Sequence, residues 1–249
     1  MIEVSHLSKS FGPPKARVQA LRDVSFSAPD GHITGLLGPN GAGKTTALRC
    51  LYTVLTPDSG QARIDGFDSV TQPLEVKRRI GVLPDNHGLY PRLTSRENIR
   101  YYGRLHGLSG ATLEAAIDHL IVLLEMADIA DRRTEGFSSG QRIKVAIARA
   151  LVHAPRNILL DEPTNGLDVM STRAMRTFIR RLRDEGRGVL FSSHIMQEVS
   201  ALCDHIVIIN QGEVAAAGTP ADLLRLTGQD NLEDAFVQTI GSEEGLARA

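Results

Sequence analysis

The stretch "ITGLLGPNGAGKTTALRCL", Ile33–Leu51, passes from an apolar run through a glycine-rich turn into a helical pattern. Within it "GPNGAGKT", Gly38–Thr45, fits G-x-x-x-x-G-K-[ST] at every position, with the strand before it and the helix after it that the motif requires. Glycines let backbone N–H groups wrap closely around phosphate oxygens as an anion nest. Lys44 is placed to reach the β- and γ-phosphates, and the Thr45 hydroxyl to serve Mg²⁺. Gly38, Gly41 and Gly43 do not fall into G-x-G-x-x-G, which argues against a dinucleotide fold.

Two later strand ends carry matching chemistry. "NILLDEP" runs through Ile158–Leu160 and ends on Asp161 and Glu162. A carboxylate at a strand end beside a phosphate loop can hold Mg²⁺, the role expected of Asp161. Glu162, one residue on, is placed to orient or deprotonate an attacking water. In "FSSHIMQEV" the strand Val189–Ser192 ends beside His194. Alone, such a histidine is more often structural; beside the other motifs it is a candidate contact to a γ-phosphate. The remaining histidines show no metalloenzyme spacing.

Composition narrows the class. The chain has 249 residues, enough for one large domain with an inserted lobe. Lys+Arg 28 against Asp+Glu 29 leaves a net charge of −1, so no basic field points to nucleic acid and none is expected as a partner. Cys50 and Cys203 stand far apart, which suits reduced thiols in a cytoplasmic protein. The N-terminus "MIEVSHLSKSFG" has no apolar signal region, and the longest aliphatic run, Leu120–Leu124, is far too short to span a bilayer. Any membrane role is expected to run through a partner.

Short apolar runs alternating with helical patterns predict an α/β layered fold. Strands are expected at 3–7, 24–27, 33–37, 62–64, 80–83, 158–160, 189–192, 206–210 and 214–217. Between about 94 and 155 the pattern is mostly helical. It opens with Thr94 and Glu97 at capping-box spacing and continues with Leu113, Ile117, Leu120, Ile121 and Leu124 on one face. The expected organisation is therefore a single domain over 1–228 with an inserted helical subdomain, followed by an acidic tail over 229–249. The tail is read as a short helix and a frayed end.

A second anion site is legible in "FSSGQRIKVAIARA", Phe137–Ala150. Small uncharged residues run into a helix expected to start near Ser139. The first N–H groups of such a helix, together with its dipole, favour an anion. One domain has little need of two phosphate sites for one nucleotide.

In this order the motifs resemble the nucleotide-binding subunit of ATP-binding-cassette (ABC) proteins, over nearly the whole chain. The resemblance implies a P-loop NTPase of the ABC type, with a mixed β core and an inserted α-helical subdomain. It implies an ATPase using ATP and Mg²⁺. Phe11 lies 27 residues before Gly38, where the family places an aromatic that stacks on adenine. Gly38, Pro39, Asn40, Gly41, Ala42, Gly43, Lys44, Thr45 and Thr46 match the phosphate loop. Ser138, Ser139, Gly140 and Gln141 match the signature, Asp161 and Glu162 the second Walker motif, Asn165–Asp168 the dimer-contacting loop, and His194 the switch histidine. Glu162, His194 and Lys44 are then the catalytic residues, with Thr45, Asp161 and Asp85 at the metal.

The resemblance also answers why there are two phosphate sites. Two subunits, copies or homologues, pack head to tail, and each ATP lies between the phosphate loop of one and the signature of the other. Asp168 would contribute from its loop at that interface. Two departures stand out: Ser139 replaces a usual glycine of the signature, and Asp85 occupies the usual glutamine position. Asp85 could hold the metal more tightly or repel the γ-phosphate, with Asn86 as a stand-in if the loop is shifted by one residue.

As a transporter motor the subunit would sit on the cytoplasmic face of the membrane, held by a separately encoded permease. Leu89, Tyr90 and Leu93 are expected either to dock a permease helix or to pack beneath the helical lobe. The stretches "GLLGPNGAGKTT" and "LPDNHGLYPRLTSRENI" look most like the exporter branch that extrudes sodium or drugs. The alternatives are a soluble ABC ATPase, such as that of iron–sulfur cluster assembly, and a nucleotide-sensing scaffold with weak hydrolysis.

Overall fold

The computed structural model describes residues 1–86 and 88–241. The chain begins with β1 (Ile2–Phe11), β2 (Val18–Ala28) and β3 (Ile33–Leu37), and then α1 (Lys44–Leu51). It continues through β4 (Ser59–Ile64), β5 (Phe67–Asp68), α2 (Pro73–Arg79) and β6 (Ile80–Leu83). Three helices follow, α3 (Ser95–Leu105), α4 (Gly110–Leu123) and α5 (Ser139–Leu151), before the chain returns in β7 (Asn157–Asp161). The last third comprises α6 (Val169–Asp184), β8 (Gly188–Ser193), α7 (Met196–Leu202), β9 (His205–Asn210), β10 (Glu213–Gly218), α8 (Pro220–Thr227) and α9 (Leu232–Ile240).

The strands form two sheets. An antiparallel sheet has the order β2-β1-β4-β5, and a second has the order β10-β9-β3-β8-β7-β6. In the second, β9, β3, β8, β7 and β6 run parallel and β10 adds an antiparallel edge. β3, β7 and β8 are buried along their whole length, as parallel strands covered on both faces must be. Helix α1 and the antiparallel sheet cover one face, in a cluster that includes Ile2, Leu21, Leu48, Leu159 and Leu190. The helical lobe packs Ile99, Leu113, Ile117 and Ile143 into the cluster on the other face, which also holds Ile158 of β7 and Phe191 of β8. Parallel pairing places the ends of β3, β7 and β8 side by side, so Leu37 pairs with Ser193 and Asp161 with Ser192.

The expected strands are all present, several of them longer, and β5 was not anticipated. Thr94 caps α3 with a capping box closed by Glu97. The apolar face read over Leu113–Leu124 is buried against the lobe's core. The short helix expected in the acidic tail is α9, and it packs on the core. α9 buries Ala235 and packs Leu232, Phe236 and Ile240 on the main core. Its other face carries Glu233 and Asp234, which made it look like a solvated tail. Glu243, Glu244 and Arg248 lie outside the described residues. Among the described residues no helix is long and apolar enough to cross a membrane.

Candidate functional site

The turn after β3 is shaped by positions that accept only glycine. A Cβ on Gly38 would lie 2.1 Å from the Ile209 carbonyl oxygen. Gly43 has φ +110°, and a Cβ there would meet the Ala20 oxygen at 2.6 Å. Gly43 occupies the N-cap of α1 in left-handed conformation and offers no side chain to the helix start. The first N–H groups of α1, on Lys44, Thr45 and Thr46, therefore have no side-chain cap and point outward as anion donors. Thr94, Ser138 and Thr219 do cap their helices with side-chain oxygens. α2, α4 and α7 also start without a side-chain cap, so the glycines around the start of α1, and not the missing cap alone, set the phosphate loop apart.

Around this helix start lies a cavity of about 420 Å³. Asn40, Gly41, Ala42, Gly43, Lys44, Thr45 and Thr46 line one side, and Asp85, Glu162, Asn165 and His194 line the other. Lys44 is only 6% exposed. Its ammonium donates to the carbonyls of Gly38 at 2.7 Å and Pro39 at 3.2 Å. It also lies 3.5 Å from the Glu162 carboxylate. The other Glu162 oxygen is 2.9 Å from His194 Nδ1. Lysine, glutamate and histidine therefore form a continuous chain across the cavity mouth.

Asp161 sits one layer deeper and is 2% exposed. Its Oδ1 accepts from Ser192 Oγ at 2.7 Å and from Thr45 Oγ1 at 3.1 Å. Burial pushes its carboxyl above the usual range, the two hydroxyl bonds oppose the rise, and the like charges of Asp85 and Glu162 add to it. The hydroxyl of Thr45 and the carboxylate of Asp161 make a hard, all-oxygen donor pair that suits Mg²⁺. Among the described residues no cluster of three or more His, Cys, Asp or Glu side chains is poised to hold a metal unaided. A cation here would draw the rest of its shell from phosphate oxygens and water, as Mg²⁺ does in nucleotide sites.

Glu162 has φ +49°, a conformation that side chains other than glycine adopt at a cost. The turn is held by the Glu162 N–H donating to Ser192 Oγ at 3.0 Å. Ser192 thus fixes both acidic residues. Ser192 carries no signal of this role in the sequence, because its contact with 161–162 arises only from parallel pairing. Ala20, which also lines the cavity, carries no sequence signal.

The structure does not bring every expected residue to this cavity. Phe11 lies at the end of β1 with 42% of its surface exposed, and Lys9 Nζ lies 5.7 Å from its ring centroid. Asp168 caps α6, accepting from the Ser171 N–H at 2.8 Å and the Ser171 hydroxyl at 3.0 Å.

Ser138, Gly140 and Gln141 line a separate groove of about 820 Å³ between α5 and α6. A capping box links Ser138 and Gln141: Ser138 Oγ accepts from the Gln141 N–H, and Gln141 Oε1 from the Ser138 N–H. That leaves Ser139 and Gly140, the first residues of α5, as the uncapped N–H donors, with the Ser138 hydroxyl proton still free to donate. This groove shares no lining residue with the cavity at the chain's own phosphate loop.

A third cavity, of about 890 Å³, separates the helical lobe from the sheet. Pro84, Asp85 and Asn86 wall it, with Arg49, Lys77, Arg149, His106 and His153 among the others. His106 and His153 stack at 3.5 Å, and burial with the neighbouring ring pulls His153 down to about 4. Leu89 packs on the core instead of lining this cavity. Asn98 binds the backbone at Tyr90, Leu93 and Thr94. Leu89 therefore packs inward, while Tyr90 is 44% exposed, so the stretch divides between the two placements expected for it.

Comparison with known proteins agrees with this geometry. Residues 21–165 match the family model described as ABC transporter. The chain is 47% identical over 241 residues to the ABC transporter ATP-binding protein NatA of Bacillus subtilis (strain 168), covering 96% of this chain and 98% of that protein. It is 35% identical to the doxorubicin resistance ATP-binding protein DrrA of Mycobacterium tuberculosis (strain ATCC 25618 / H37Rv), over 97% of this chain and 75% of that one. A solved ATP-binding subunit of an ABC transporter superposes with TM-score 0.86 at 30% identity, covering 96% of this chain and 99% of that chain. A bacterial ABC transporter cassette solved as a dimer superposes with TM-score 0.80 at 25% identity, over 88% and 98% of the two chains.

Proposed function

The chain belongs to the ABC transporter family as an ATP-binding, ATP-hydrolysing subunit of export type, and from that premise we propose how its residues divide the work. Gly38–Thr46 hold the phosphates of ATP, Thr45 and Asp161 hold Mg²⁺ with Asp85 at the edge of the site, and Glu162 and His194 serve hydrolysis. The observation that carries this reading is the single cavity that gathers the uncapped start of α1, Lys44, Glu162 and His194.

In hydrolysis the oxygen of water bonds to the γ-phosphorus as a proton passes to Glu162, and the bridging oxygen departs with ADP. Lys44 offsets charge on the β- and γ-oxygens. Mg²⁺, when bound with the nucleotide, neutralises further charge on those oxygens. His194, 2.9 Å from Glu162, orients the carboxylate and is placed to donate toward the γ-phosphate. The adenine stacks on Phe11.

The donors at Ser138–Gly140 suit the γ-phosphate of a second copy or a homologous subunit packed head to tail, with Asp168 nearby at the interface. Relatives of this chain are named for linearmycin and doxorubicin resistance and for Nod factor export, which supports efflux as the task. The stretch Asp85–Thr94 resembles the branch that extrudes sodium, so sodium ions or drugs are the proposed cargo. Iron–sulfur assembly is not favoured by these relatives.

The groove between lobe and sheet, walled by Pro84–Asn86, is the proposed seat of a permease helix. The subunit would then be peripheral on the cytoplasmic face. Capture tests this: the tagged full chain, extracted in detergent, should bring down a multi-helix membrane protein whose presence raises ATP turnover. Recovery of the chain alone, with turnover indifferent to membranes, would contradict it.

A further inference from the structure

Glu198 is a carboxylate that the hydrolysis scheme leaves without a task, yet it is 3% exposed. Burying a carboxylate is costly unless its environment compensates. Its compensation is specific. Glu198 Oε2 accepts a bond from Thr164 Oγ1 at 2.6 Å and another from Ser193 Oγ at 3.1 Å. The cation nearest its other oxygen is the Arg176 guanidinium, at 4.0 Å and 30% exposed.

The two hydroxyls belong to the two segments that meet at the cavity mouth. Thr164 is two residues after Glu162, and Ser193 immediately precedes His194. Both are buried. Ser193 Oγ also accepts the Ile195 N–H at 3.0 Å, so its hydroxyl ties the backbone on the far side of His194 as well. The hydroxyl proton of Ser193 is thereby committed to Glu198. One oxygen of one side chain on α7 thus joins the turn carrying the proposed base to the turn carrying the proposed switch histidine.

We infer that Glu198 is a positioning residue: it clamps the 162–164 turn to the 193–195 turn and so sets the distance between Glu162 and His194. The inference rests on the roles proposed above for those two residues. Two features show why a clamp is needed. Glu162 stands in a left-handed conformation that its neighbours must hold, and His194 is 39% exposed. A carboxylate has no proton to give, so both hydroxyls must act as donors and each is fixed in direction. Because both bonds end on one oxygen, a glutamine amide oxygen in its place would keep them, and only truncation of the side chain releases both hydroxyls.

The test is a double-mutant cycle on the full chain, reading kcat and KM for Mg-ATP in Glu198→Ala, His194→Ala and the pair. Glu198→Ala should lower kcat by about 10–100-fold, the range in which small misplacement is felt, with KM within threefold. It should lower kcat no further when His194 is already alanine, because both changes act on one unit. Equal losses in both backgrounds would make Glu198 a general structural residue and overturn the inference. So would wild-type kcat in Glu198→Ala. Wild-type kcat in His194→Ala would instead bring down the reading of His194, and this inference with it. Should Glu198→Ala fail to fold, Thr164→Val and Ser193→Ala each remove one of the two bonds and are held to the same criteria.

Discussion

The ammonium of Lys44 lies 3.5 Å from the carboxylate of Glu162, so the proposed phosphate ligand and the proposed base neutralise one another across the cavity. Lys44 also donates to the Gly38 and Pro39 carbonyls. A γ-phosphate entering the loop competes for that ammonium and leaves Glu162 free to act on water. Binding and activation of the base are thereby coupled through one cation.

Lys44→Ala should weaken ATP binding by about 100-fold or more, the value of a charge-assisted phosphate contact in a shielded site. The fold should persist, since the glycine turn and α1 remain. Calorimetry measures this directly. Unchanged affinity would remove the phosphate-loop assignment.

Asp85 lines the cavity, and its charge raises the Asp161 carboxyl. If it shares the metal, Asp85→Ala should raise the Mg²⁺ concentration needed for half-maximal turnover. Asp85→Gln, the residue usual in the family, should leave turnover equal or higher. The measurement is ATPase rate against Mg²⁺ at fixed ATP. Identical metal dependence in all three proteins would make Asp85 a loop acid and nothing more.

Asp161 is held in a way that favours ligation over stability. Because its carboxyl is raised in the folded chain, the folded state keeps a proton that the unfolded state has already lost. The stability it contributes is present in acid and falls away as pH rises through the window just above the ordinary carboxylate range. Asp161→Asn keeps an acceptor for Ser192 and Thr45 while removing the buried charge. Without nucleotide it should melt a few degrees higher at neutral pH, worth about 1 kcal/mol, and lose Mg²⁺-dependent turnover. A lower melting temperature would show that the charge is stabilising as it stands.

How much of this could be read in the sequence follows from where each signal resides. β3 and β6 match their expected bounds because each is an apolar run closed at once by a turn. β1 extends beyond its expected Glu3–Leu7 to Phe11, since shifts of register after Val4 and a positive φ at His6 break the alternation that marks a strand. The Thr94–Glu97 box was legible by spacing. The Ser138–Gln141 box has the same spacing with glutamine in place of glutamate, and the same small residues also read as an anion site.

The phosphate loop and both acidic residues were legible because their chemistry lies in local motifs. Ser192 and Glu198 were not, because their contacts join β7, β8 and α7 across gaps of about 30 residues or are made to a side chain no motif contains. The packing of α9 was not legible because composition registers its acidic face and not the face that Leu232, Phe236 and Ile240 pack on the core.

The central claim is that the nucleotide site is shared between two copies, and one measurement addresses it directly. Glu162→Gln keeps the size of the side chain, removes the base and releases Lys44. It should bind ATP at least as tightly while hydrolysis falls by about 10²–10⁴. With the γ-phosphate uncut, two copies should remain closed on two ATP molecules, and light scattering on a sizing column should read twice the 27.0 kDa chain mass in Mg-ATP and a single chain in ADP. Adding Ser138→Arg puts a bulky cation where the partner's phosphate must lie, while each copy keeps its own phosphate loop intact. The account predicts that this double variant still binds ATP and stays a single chain. A Ser138→Arg, Glu162→Gln protein that dimerises in Mg-ATP as fully as Glu162→Gln alone would contradict it.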